Sequence, residues 1–168
     1  DYLEPSPLVL TPMPLRTKIA SSDAELDACF QLRHRVFVEQ DSKFQNQPDG
    51  RLLDRFDTFD VTTVFYAEEA GSLVGTIRVT LKNEQVGMPA DDYFDFSQHI
   101  PGDAGRIANL SQLCVEAEGR GQLRVVNGLF NLIYYWGHEN QVTHFLAPFN
   151  PRLTRTMQRI GFTPIGDV

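Results

Sequence analysis

The apolar positions change period along the chain, and the changes predict its elements. A short extended run spans 16–20. Ser21, Ser22 and Asp23 then offer helix caps, with Glu25 in the first turn, and a helix is predicted to about residue 39. Residues 40–52 lack any period and read as a loop. Two apolar runs, 62–69 and 72–82, flank Ala70-Gly71 and predict a hairpin. Residues 83–105 are irregular, with a short helix expected near 91–99. A long strand follows at 106–115. A Gly-containing loop, 116–121, opens a helix over 122–138, where Leu123, Val126, Phe130 and Ile133 keep helical spacing. A strand is expected at 143–147. Asn150 caps a last helix with Pro151 at its first position and Gly161 past its end. A final strand is expected over 162–166.

This order, β-α-ββ-β-α-β-α-β, is neither a strict βαβ alternation nor an all-β meander. It predicts an α/β (α+β) fold, a mixed central sheet with helices on both faces. Pro5, Pro7, Pro12 and Pro14 make residues 1–15 an extended arm, and 16–168 is expected to be a single domain.

Composition narrows the classes. With 42% hydrophobic and 22% charged residues the chain is globular in character. A net charge of −7 argues against a general nucleic-acid binder, which needs a basic face. The charge is uneven: from Glu116 onward, arginines 120, 124, 152, 155 and 159 outnumber the acids. That end is a candidate site for an anionic group, or a solvated helix face. No run is long and apolar enough to span a membrane, and no secretory signal precedes the fold, so a cytoplasmic location is expected. Cys29 and Cys114 sit among apolar neighbours and form no disulfide framework. The four histidines lack ligand spacing, so no metal is expected.

Several polar residues interrupt apolar stripes. Leu26, Phe30, Arg33 and Phe37 share one face of the first helix, placing a guanidinium toward the core, where it must find a carboxylate or a carbonyl. Asp54, Asp57 and Asp60 recur at three-residue spacing with Phe56 and Phe59 between them. Arg78 lies mid-strand and is expected to pair with one of these acids. Asn109, Ser111 and Gln112 interrupt the strand 106–115. They suggest a lined pocket, or a bulge freeing backbone N–H groups for an oxyanion. Gly119, Arg120, Gly121, Gln122 and Arg124 open a helix after a strand, a phosphate-binding signal.

Three segments together resemble the GNAT acyltransferase superfamily, over about residues 16–166. They are the strand–loop–helix unit 113–121, the ending Asn150-Pro151 to Gly161-Phe162, and the strand 74–78. Within it the chain is most similar to the autoinducer (acyl-homoserine lactone) synthases and the long-chain N-acyl amino acid synthases. Arg33 and Phe37 match their Arg-x-x-x-Phe, Asp54 and Asp57 their Asp-x-x-Asp, and Gly75 and Arg78 their Gly-x-x-Arg. Residues 110–113 resemble their Leu-Ser-Arg-Phe segment.

The chain departs from the pattern at four places. Asn109 replaces a glutamate and Gln112 an arginine, which disfavours lactone formation. Glu118 and Leu123 replace the usual loop residues, leaving Gly121, and Met157 stands where many acetyltransferases have tyrosine. The last two departures are expected of relatives that use acyl carrier protein.

The resemblance implies attack by an amine on an acyl thioester. The acyl group, expected to be long, would pass from acyl carrier protein, or CoA, to an amino acid or similar small amine. The implied catalytic set is Arg33, Asp54, Asp57, Arg78, Ser111 and Cys114. Backbone N–H groups around Leu113 and Val115 are implied for the oxyanion, and 119–124 for the phosphopantetheine phosphate. No cofactor is expected to be tightly bound. Tyr134, Tyr135 and Trp136 are candidates to wall the acyl chain, against a core role. Arg152, Arg155 and Arg159 are candidates to meet an acidic carrier protein. The alternatives are a lactone synthase, an acetyl-CoA N-acetyltransferase, or a thioester- or lipid-binding module without turnover.

Overall fold

A computed structural model describes residues 14–116 and 120–165. β1 (Arg16–Ile19), β2 (Thr62–Glu69), β3 (Ser72–Leu81), β4 (Arg106–Val115) and β5 (Val142–Leu146) form one sheet in chain order. β1 to β4 pair antiparallel, and β5 joins β4 in parallel. The sheet is mixed, as the alternation predicted. The β2–β3 turn is made by Ala70 and Gly71, both with positive φ, the backbone that a tight two-residue hairpin requires.

α1 (Asp23–Arg33) covers one face. Its Ser22 cap accepts from the Glu25 N–H, while the Glu25 carboxylate accepts from the Ser22 N–H and from the Tyr66 hydroxyl. This reciprocal cap fixes where the helix begins. α2 (Arg120–Glu139) covers the other face. There Val125, Leu129 and Ile133 pack on Phe65, Ala67, Ile77, Val79, Ala108 and Leu110. Gly75 lets α2 approach β3: a Cβ there would lie 2.5 Å from Val125 Cγ1.

Three expectations need correction. The first helix does not run regularly to residue 39; it widens into a π-helical stretch, His34–Gln40. Apolar periodicity carries no signal for that change. The 91–99 helix is instead a single 3₁₀ turn, Pro89–Asp92. Residues 162–165 form no strand. Phe162 packs edge-on against Phe130 and Phe149, so this segment closes a cavity instead of extending the sheet. The last helix begins as a 3₁₀ turn, Pro151–Leu153, capped by Asn150, and continues as α3 (Thr154–Arg159). No described helix is long and apolar enough to cross a membrane.

Candidate active site

β4 is the element that organises the site. Gln112 has φ +54, and the register with β3 slips there: Arg78 opposes Ser111, yet Thr76 opposes Cys114. Two residues, Gln112 and Leu113, therefore stand against Ile77 alone. This is the β-bulge suggested by the polar run. It changes which side chains share a face. Ser111 and Cys114 point toward α1, while Leu110, Leu113 and Val115 join the α2-side core.

On the α1 face an ion cluster is assembled from three separate segments. Asp54 caps a 3₁₀ turn, Arg55–Thr58. It accepts from the Phe56 N–H at 2.8 Å, while Asp57 returns the contact by accepting from the Asp54 N–H at 3.0 Å. That turn presents both carboxylates to the sheet. Arg78 donates Nη1 and Nη2 to Asp54, at 2.6 and 2.9 Å, and Nη1 also to Asp57, at 2.8 Å. Its Nε reaches Ser111 Oγ at 3.0 Å. The second oxygen of Asp57 takes Arg33 Nη1 at 2.8 Å. The side chains of Arg33, Arg78 and Asp57 are sealed from solvent, whereas that of Asp54 is 41% exposed. Burial would raise the Asp54 carboxyl, but the hydrogen bonds and charge of Arg78, with the Phe56 N–H, hold it below the usual aspartate value. Asp54 is therefore the one member of the cluster that is both ionised and open to a ligand.

Cys114 lies beside this cluster with Leu32, Val36, Phe37 and Leu52. Burial pushes its thiol up to about 12, so at neutral pH it is a neutral core group and no nucleophile. At the end of β4, Glu116 accepts from Arg35 through both carboxylate oxygens, at 3.1 and 3.3 Å. Gly119 and the side chain of Arg120 lie outside the described residues. Gly121 and Gln122 form the first turn of α2, and Arg124 is paired with Glu69.

β5 departs from the sheet part-way along β4. The last parallel pair is Asn109 with Leu146, and β4 continues to Val115 with no partner strand on that edge among the described residues. The fork opens toward the α2 face into a cavity of about 830 Å³. Leu110, Leu146 and Ala147 line its inner end, and Phe94, Phe96, Phe130, Tyr134, Phe149, Met157 and Phe162 its walls. Tyr134 thus reaches the cavity, Tyr135 is exposed, and Trp136 packs edge-on against Phe65 in the core. Sequence reading missed the cavity, because its phenylalanines come from separate segments: Phe94 and Phe96 from the stretch before β4, Phe130 from α2, and Phe149 and Phe162 from either side of α3.

A family model described as "N-acyl amino acid synthase FeeM" matches residues 28–168. The chain belongs to the FeeM N-acyl amino acid synthase family. It is an enzyme of the GNAT superfamily, and its reaction is acyl transfer to an amine. No curated protein matches it. Among solved structures, FeeM from uncultured soil microbes superposes with a TM-score of 0.72 at 20% identity, covering 94% of this chain and 82% of that one. The AHL synthase LasI gives 0.68 at 16% identity, over 89% and 79%. The CoA-dependent acyl-homoserine lactone synthase BjaI gives 0.67 at 20% identity, over 91% and 74%. These likenesses show the GNAT-like fold, and the family match shows the reaction class.

Proposed function

We propose that this FeeM-family enzyme transfers a long acyl chain from a phosphopantetheine thioester, delivered by acyl carrier protein, to the amine of an amino acid. One observation carries the reading: the fork between β4 and β5 leads into an apolar cavity of about 830 Å³, within the usual range for burying a sizeable ligand. An acetyl group would leave most of it empty. BjaI, with the same fold, binds isopentyl-CoA, which supports a thioester as co-substrate.

In this reading the thioester carbonyl lies in the fork, and unpartnered N–H groups of β4 near Leu113 and Val115 receive the oxyanion. The amine approaches from the α1 face. Asp54 attracts and orients its ammonium form. Because Arg78 weakens Asp54 as a base, the amine's proton leaves through water held by that carboxylate; collapse of the oxyanion then breaks the C–S bond and releases the phosphopantetheine thiolate, which takes up a proton from water. Asp57, Arg33, Arg78 and Ser111 hold Asp54 in place. The start of α2, with Gly119 to Arg124, receives the phosphate. Arg152, Arg155 and Arg159 are exposed and make no ion pair among the described residues, a surface suited to an acidic carrier.

The test is mass spectrometry of reactions holding the protein, pooled amino acids and polyamines, and either a long-chain acyl carrier protein or the matching acyl-CoA. An N-acyl amino acid from the carrier donor is expected. Product from CoA alone would remove the carrier protein from the scheme. Thioester binding without product would favour the non-catalytic module.

A further inference from the structure

Asn109 is fully buried at the last rung between β4 and β5. Its Oδ1 accepts from the Ala90 N–H at 3.1 Å, and its Nδ2 donates to the carbonyls of Leu146 and Leu110, at 3.0 and 3.3 Å. The orientation of the amide is unambiguous, since a backbone N–H faces one end and backbone carbonyls the other. Both outer contacts fall on strategic backbone. Leu146 is where β5 leaves the sheet and the fork begins. Ala90 belongs to the turn Pro89–Asp92, whose first two residues are buried, and from it the chain runs on to Phe94, Phe96 and His99 in the cavity wall. A single side chain thus ties the fork to the turn that carries part of the wall.

We infer that Asn109 is a positioning residue that couples the width of the β4/β5 fork to the placement of the 94–99 wall, and so helps set which acyl chains the enzyme accepts. The inference rests on the reading of the cavity as the acyl site. Asn109 lies on the α1 face beside the cluster and does not line the cavity, so its effect passes through Ala90 and Leu146. The chemistry of the clamp is strict. It needs one acceptor and one donor at opposite ends of a short planar group. An ionised aspartate of the same shape would keep the Ala90 bond but turn a lone pair on the Leu146 carbonyl. A protonated aspartic acid would restore both bonds, and the same lone-pair conflict would raise its pKa.

The experiment measures kcat and KM of the full chain and of Asn109→Asp with acyl-carrier-protein and acyl-CoA donors from two to sixteen carbons, at neutral and mildly acid pH. At neutral pH the ratio of long-chain to short-chain kcat/KM is expected to shift by roughly tenfold or more in the variant, the scale of pocket discrimination by apolar fit. In acid it is expected to return toward that of the unaltered protein measured at the same pH. A uniform loss across all donors, or a shift that acid does not reverse, would overturn the inference. If Asn109→Asp does not fold, Asn109→Ser, whose hydroxyl is too short to span both backbone groups, should show the same shifted ratio at every pH; an unshifted ratio would overturn it. Inactivity of the unaltered chain with every donor would instead sink the acyl-transfer reading beneath it.

Discussion

Asp57 holds Arg78 at 2.8 Å with one carboxylate oxygen while its other oxygen holds Arg33, all three side chains being sealed from water. One anion compensates two buried cations, with help for Arg78 alone from Asp54. Removing it strands charge in the core, which typically costs about 3–5 kcal/mol. Asp57→Asn should therefore lower the denaturant midpoint severely, or prevent folding. A loss below about 1 kcal/mol would mean that the two arginines find other partners.

Asp54 is coupled to the same arginine but is partly open. Asp54→Asn should cost less stability than Asp57→Asn and more activity. The expected signature is a raised KM for the amino acid acceptor with the donor KM little changed. Steady-state kinetics with both substrates varied would check this. Equal effects on both KM values would remove Asp54 from the acceptor side.

Ala147 lines the cavity where it meets the fork. Ala147→Leu should exclude long chains there and favour short ones, changing the ratio of kcat/KM for long and short donors by about 10–200-fold. A competition assay with mixed chain lengths, read by mass spectrometry, measures it. An unchanged ratio would place the acyl chain elsewhere.

Acid should loosen the α1 cap. Glu25 is held at about 2 by hydrogen bonds from the Ser21 N–H and the Tyr66 hydroxyl. Its folded pKa lies below the unfolded value of about 4.3, so this contribution is complete above pH ~4.3 and is lost as pH falls toward 2. Denaturant midpoints of the natural protein should decline across that window, and Glu25→Gln should flatten the decline. Parallel pH curves would assign the acid sensitivity to other carboxylates, Asp54 among them.

The parts that sequence made legible are those where a residue conflicts with its own element. A guanidinium on an apolar helix face and another in a central strand must each find an acid. Asp54 and Asp57 stood nearby at the right spacing, and the structure joins all four through the bonds to Arg78 and Asp57. The polar run of β4 likewise pointed to either a lined pocket or a bulge, and the structure has the bulge. The π-helical stretch was not legible, because its widened turns bury His34, Val36 and Phe37 much as an ordinary helix could. Nor was the closing segment at 162–165, whose fate depends on aromatic contacts with Phe130 and Phe149. Asn109 stood out as a polar intruder, but what it clamps lies 19 and 37 residues away along the chain.

β5 leaves the sheet at Leu146, and under the proposed function this has a consequence for the product as well as for the substrates. If acceptor and acyl chain meet from opposite faces, as proposed, the new amide is made with its polar head on one side of the sheet and its tail on the other. Such a molecule is threaded through the fork like a toggle through a buttonhole. It cannot back out toward either face without dragging a charged head through the apolar cavity or an acyl tail past the ion cluster. Its exit would then be sideways, along the edge of β4 that β5 leaves, and the opening that admits the thioester would also let the finished product slide free.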